Sequence, residues 1–152
     1  SPLREYIESL RAPAPLEEGD AGSIEAGRNE FRDAGCEECH SGPAGSGLQV
    51  FSFDEIGTDA DMKWWGDGDR DGVMCCGVEG ELTGGIKAPR LRGAHALTRF
   101  LHNGSLSSLE ELLCIDERPA SELPPFANTG HEYGCDLSIE QRLDIVAFLK
   151  SI

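Results

Sequence analysis

The chain has 152 residues and a net charge of -15, from 28 acidic against 13 basic side chains. That length holds one domain with a modest core. The charge argues against nucleic acid and anionic membranes as partners and favours a partner protein with a basic docking surface, although plain solubility or a saline habitat explains it equally well. No apolar run approaches the ~20 residues of a membrane span. The start at Ser1 reads as a mature form or an excised fragment.

Pro2 to Leu10 predicts a helix with an apolar stripe of Leu3, Tyr6, Ile7 and Leu10, ended by Pro13 and Pro15. An acidic linker follows. Residues 1–21 thus read as an N-terminal helix and linker ahead of a core over 22–152, all in a single domain. Ser23 is placed to cap a second helix, Ile24 to Ala34, with Ile24, Gly27, Phe31 and Ala34 on one side and Gly35 as its stop.

Cys36-Glu37-Glu38-Cys39-His40 comes next. C-x-x-C-H reads as a c-type haem attachment site. Two thiols three positions apart reach the two vinyl groups of one porphyrin as thioethers. The adjacent His40 then lies under the iron as proximal ligand. A redox C-x-x-C does not need the His, and a zinc site needs a second ligand pair at similar spacing, which the chain lacks. Glu37 and Glu38 are expected to face solvent and to lower the haem potential slightly.

Residues 41–93 read as mostly loop. That is long for a structureless connection, so the stretch is expected to be pinned by haem, disulfides or a cation. Trp64-Trp65 reads as cover over a haem edge or as packing, with an exposed docking patch as the alternative. Asp67-Gly68-Asp69-Arg70-Asp71-Gly72 has the D-x-D-x-D-G core of a calcium loop, but position twelve is Val78 and Glu79 falls one residue late. Asp67, Asp69 and Asp71 are therefore either Ca²⁺ ligands at extracellular concentrations or a solvated acidic turn.

Beyond the haem pair, Cys75, Cys76, Cys114 and Cys135 remain. Haem c attachment and disulfides both belong outside the cytoplasm, so the six cysteines predict a periplasmic or extracellular protein with two disulfides. A bond between adjacent Cys75 and Cys76 is strained. Each is expected to pair with one of Cys114 and Cys135.

Ser107-Ser108-Leu109-Glu110 reads as a capping box for a helix from Ser108 to Cys114. Ser138-Ile139-Glu140-Gln141 reads as another for the last helix, which runs to about Ser151 with Ile139, Leu143, Val146, Ala147 and Leu149 to Ile152 as its buried face. Candidates for the iron's other face are Met62, Met74, His95, His102 and His131. A filled sixth position suits electron transfer, and a free one suits catalysis or gas binding. His131, in Asn128-Thr129-Gly130-His131-Glu132-Tyr133-Gly134, sits well downstream of C-x-x-C-H and before the last helix, the usual place for a distal ligand. His102 is also placed to hydrogen-bond a propionate or the backbone.

The segment IKAPRLRGAHALTRFLHNGSLSSLEELL, residues 86–113, resembles the C-terminal haem domain of bacterial di-haem cytochrome c peroxidases and their relatives. It carries a Lys-x-Pro-x-Leu-Arg element, an aromatic-x-His-Asn-Gly-Ser element and a short Leu-Glu-Glu helix. Ile56-Gly57-Thr58-Asp59 and the final LSIEQRLDIVAFLKSI are similar to that family's Val-Gly-Thr-Asp segment and last helix. NTGHEYG is most similar to the branch containing the rubber oxygenases. The resemblance implies that His131 is the distal ligand of a bis-His haem, that His102 is a structural residue of the haem pocket, and that Arg90 and Arg92 pair with haem propionates.

Such enzymes carry two haems on two domains, whereas this chain has one C-x-x-C-H. The expectation is a mainly α, cytochrome c-type fold with long loops around one covalently bound haem c, transferring electrons to a redox partner protein. The alternative is an electron-relay haem domain excised from a di-haem peroxidase or oxygenase.

Overall fold

A computed structural model describes residues 1–16, 19–47, 49–58, 85–120 and 128–152, with the backbone of two short strands at 73–74 and 78–79. In chain order the elements are α1 (Pro2–Ser9), α2 (Ala21–Asp33), a 3₁₀ turn (Cys36–Glu38), β1 (Val50–Ser52), α3 (Phe53–Ile56), β2 (Val73–Met74), β3 (Val78–Glu79), β4 (Gly85–Lys87), a second 3₁₀ turn (Ala94–Ala96), α4 (Leu109–Leu112) and α5 (Ile139–Lys150).

The framework is the packing of α2 on α5, which meet at Gly27 with no side chain between their backbones. Phe31 of α2 joins Leu109 and Leu113 around α4, and Ile145, Val146 and Leu149 of α5, in one buried cluster. Cys36, Leu91 and Phe100 pack against its edge, so the C-x-x-C-H turn grows directly out of the core. Each buried aliphatic or aromatic side chain contributes about 1.5–3 kcal/mol.

Helix ends follow capping chemistry, with two shifts from expectation. α2 begins at Ala21, because the Asp20 carboxylate accepts from the Gly22 amide at 3.0 Å and takes the cap from Ser23. At α4 the cap is Ser108, whose hydroxyl accepts from Glu111 N at 3.0 Å, and the Glu111 carboxylate returns to Ser107 N at 2.6 Å. The box thus lies one residue later than the pattern suggested, and Glu110 is released to bind Lys150 of α5 at 2.8 Å. The Ser138–Gln141 box on α5 forms as predicted.

The buried face of α5 is Ile145, Val146 and Leu149, whereas Ile139 and Leu143 are 53% and 48% exposed. The Gly27 contact centres on Asp144 and Ile145, and Ile139 and Leu143 point away from that face. α1 forms where its stripe predicted, yet it buries none of its residues.

The 41–93 segment carries more structure than its composition suggested. β1 pairs antiparallel with β4, Phe51 opposite Ile86, and β2 pairs antiparallel with β3. Phe51 and Phe53 are buried, so the hairpin and α3 pin this stretch from inside.

Cys114 and Cys135 are bonded to each other. This corrects the expectation that each would pair with Cys75 or Cys76. Cys114 leaves α4 just as the loop before α5 returns, which brings the two Cα atoms to 5.3 Å, within disulfide range. Met62, Trp64, Trp65, Asp67, Asp69, Asp71, Cys75 and Cys76 lie outside the described residues. Met74 is described in its backbone alone.

Candidate functional site

His40 is set by the turn that holds the two thiols. Its amide donates to Cys36 O at 3.0 Å, which closes the C-x-x-C-H segment on itself. Its ring Nδ1 lies 3.0 Å from Gly45 O and 3.1 Å from Pro89 O. Both partners only accept, so Nδ1 carries the proton and Nε2 is left as the lone-pair nitrogen. An outer hydrogen bond of this kind fixes the tautomer and orientation of metal-binding histidines. Gly45 makes it possible: it has φ +66°, and a Cβ there would stand 2.9 Å from Leu91 Cβ.

His131 faces His40 from the loop before α5. The ring centroids are 6.2 Å apart, with the planes inclined at 65°. Tyr133 packs edge to face on His131 at 5.7 Å, and its hydroxyl donates to Glu55 O. The His131 amide donates to Ile56 O at 2.9 Å. Its Nδ1 is sealed from solvent without a hydrogen-bond partner. Burial, the neighbouring His40 and the Arg118 cation hold the imidazole down to about 4 against the pull of its own backbone hydrogen bond, so it is neutral at pH 7. Neutral imidazole is the form that binds a metal.

His40 and His131, with ring centroids 6.2 Å apart, would suit a metal-bearing group that takes two imidazole ligands. The orphaned Nδ1 is a second sign that this space suits a group the chain does not itself supply. Among the described residues no cluster of three or more His, Cys, Asp or Glu assembles into a metal site of another kind.

Cys36 and Cys39 are free thiols on one turn. Burial pushes the Cys36 thiol up, with smaller contributions from Cys39 and Glu37. Burial, then Glu55 and Glu38, push Cys39 up as well. Both stay protonated at neutral pH, unlike the thiolate of a redox C-x-x-C. Cys36 faces the core, whereas Cys39 lies toward the surface among Glu38, Glu55 and Tyr133.

The other sequence candidates are placed less centrally. His102 Nδ1 is 2.7 Å from Thr58 Oγ1, and Thr58 packs against Gly130, so His102 lies behind the His131 loop. His95 sits in the second 3₁₀ turn with its Nδ1 buried and unpartnered. Arg90 and Arg92 are exposed, without an ion pair to any described residue. Arg92 lines a cleft of about 400 Å³ with Arg11, Pro13 and Ser151.

Sequence reasoning missed Arg118, which binds the loop that carries His131. Its guanidinium donates to Leu112 O and His131 O at 2.9 Å, Gly130 O at 3.0 Å, and Glu111 O and Asn128 O at 3.3 Å. An arginine before a proline carries no motif, and its acceptors are backbone carbonyls that no side-chain pattern marks.

No family model, curated protein or solved structure matches the chain. The resemblance to the di-haem peroxidase domain stands on the quoted motifs alone.

Proposed function

We propose that the chain is a c-type cytochrome that transfers electrons through one haem c, attached to Cys36 and Cys39 and ligated by His40 and His131. The observation that carries this reading is the facing imidazole pair at 6.2 Å, beside the only C-x-x-C-H of the sequence. A mainly α, cytochrome c-type fold is part of the same proposal: α2 runs into the attachment turn and packs on α5, alongside two short antiparallel strand pairs.

Bound haem supplies one-electron Fe(III)/Fe(II) chemistry, and two nitrogen ligands favour a lower potential than His/Met ligation. The chain does the rest. His40, proton-fixed at Nδ1, would offer Nε2 as one ligand. His131, held edge to face against Tyr133, would supply the other. The exposed Glu37, Glu38 and Glu55 surround the outward Cys39 edge and suit a partner with a basic docking surface. Attachment chemistry and a disulfide both suit a periplasmic or extracellular protein. No described helix is long and apolar enough to cross a membrane.

The test is the optical spectrum of the ferric holoprotein. Bis-His ligation gives low-spin bands without a sulfur-to-iron band, and His131→Ala turns the iron high spin. A high-spin wild type, or a variant with an unchanged spectrum, refutes the ligand assignment.

One observation favours a second reading, a relay haem domain of a larger peroxidase- or oxygenase-type protein. The apolar stripe of α1, Leu3, Tyr6, Ile7 and Leu10, is 56–67% exposed, more than an isolated carrier needs. Slow amide exchange in α1 within a longer gene product, and fast exchange in this chain alone, would support that reading.

A further inference from the structure

We infer that Arg118 is the positioning residue that aims His131 at the haem iron. The inference rests on the reading of His131 as axial ligand. His131 sits at φ +51°, a region non-glycine residues seldom occupy without being held there. Its segment belongs to no helix or strand, so few regular hydrogen bonds hold it.

The carbonyls of Asn128, Gly130 and His131 converge instead on one guanidinium. The other side of that guanidinium binds Glu111 O and Leu112 O at the end of α4, between the buried Leu109 and Leu113. A continuous path thus runs from the core through α4 and Arg118 to the ligand's own carbonyl.

Charge makes the arrangement specific. No carboxylate forms an ion pair with Arg118 among the described residues, although Glu132 stands near enough to oppose the effect of burial. Burial lowers the Arg118 pKa, but an arginine stays charged at any working pH. A partly buried cation without an ion pair is retained at a cost unless its hydrogen bonds are otherwise required. Here neutral carbonyls supply them, in the planar fork geometry that lysine lacks. The Cys114–Cys135 disulfide closes the same loop, but it anchors the chain beyond Tyr133. Arg118 touches His131 itself.

The test uses holoprotein of wild type, Arg118→Gln and Arg118→Lys. The readouts are ferric spin state, the rate of CO binding to the ferrous form, and rescue by added imidazole. Arg118→Gln is expected to raise the high-spin fraction and to speed CO binding roughly tenfold, the size of losing one charge-assisted hydrogen bond. Added imidazole restores its low-spin spectrum, and a far-UV circular dichroism spectrum and melting temperature like those of wild type distinguish a misaimed ligand from a loosened fold. Arg118→Lys, with the charge but not the fork, falls between.

A wild-type spectrum and CO rate in Arg118→Gln overturns the inference and leaves His131 ligation standing. If Arg118→Gln yields no holoprotein, Arg118→Lys decides on the same readouts: a raised high-spin fraction supports the role and an unchanged one overturns it. A high-spin wild type removes the ligation reading itself, before any variant is compared.

Discussion

Gly27 of α2 lies so close to α5 that a Cβ added to it would stand 1.9 Å from the carbonyl oxygen of Asp144. The atom it would strike is backbone, so no side chain swings aside. Gly27→Ala must separate the two helices or tilt them. Overpacking of this kind costs about 3 kcal/mol, at the upper end of its usual range. For a domain of this size that lowers the melting temperature by roughly 6–12 °C. Thermal unfolding followed by circular dichroism measures it. A variant within a degree of wild type would mean that the helices do not meet as described.

The disulfide gives a covalent check on the same topology. Cys114 and Cys135 are 21 residues apart in sequence, and closing a loop of that size stabilises by about 3 kcal/mol. The paired variant Cys114→Ser/Cys135→Ser is expected to lose about that much in denaturant unfolding. A non-reduced peptide map should join the two peptides. Either cysteine joined to Cys75 or Cys76 would restore the pairing expected from sequence and refute the one described.

How far the chain could be read in advance follows from where each signal is written. Helix starts were legible because capping is local chemistry, and Ser138–Gln141 formed as spelled. The shifts at Asp20 and Ser108 arose where a second residue nearby, Ser23 or Ser107, could also cap and only the fold selects between them. That His40 and His131 lie close was legible only in part, because His131 was one of five candidates for the position opposite His40. What holds them was not. The Gly45 and Pro89 carbonyls on His40, and the Arg118 fork on His131, are contacts to backbone carbonyls 5 to 49 residues away, and side-chain identity does not encode them. Disulfide pairing failed for the same reason, because the proximity of Cys114 and Cys135 depends on how the loop after α4 returns.

Acid stability offers a third prediction through Glu110 and Lys150, which tie α4 to α5 at 2.8 Å. Burial alone would raise the Glu110 carboxyl, but the Lys150 hydrogen bond, a backbone hydrogen bond and the Lys150 charge together outweigh it and leave the folded value below the ordinary one. A depressed carboxylate stabilises the fold above its unfolded value, about 4.3, and that contribution is lost as pH falls through the folded value. Both side chains keep nearly a third of their exposure, so the contribution is about 0.5–1 kcal/mol. Glu110→Gln should reduce stability at pH 7 by that amount and leave it unchanged at pH 3. Unfolding curves at the two pH values check this, and an equal loss at both would show that the ion pair contributes nothing.

Electron exchange should carry the sign of the surface around Cys39. Glu37, Glu38 and Glu55 are exposed there, and the net charge of -15 adds a long-range field of the same sign. A tripositive metal complex should therefore oxidise the reduced holoprotein faster than a trinegative one of matched driving force. Raising ionic strength from about 0.01 M to about 0.15 M shortens the Debye length from about 30 Å to about 8 Å, so the cation's rate should fall and the anion's should rise. Glu38→Gln/Glu55→Gln should lower the cation's rate at low salt and leave the two rates nearly unchanged at high salt, where local charge is screened. Stopped-flow measurement of the four combinations separates the local effect from the global one. A variant that matches wild type with both reagents at low salt would show that electrons leave by another face.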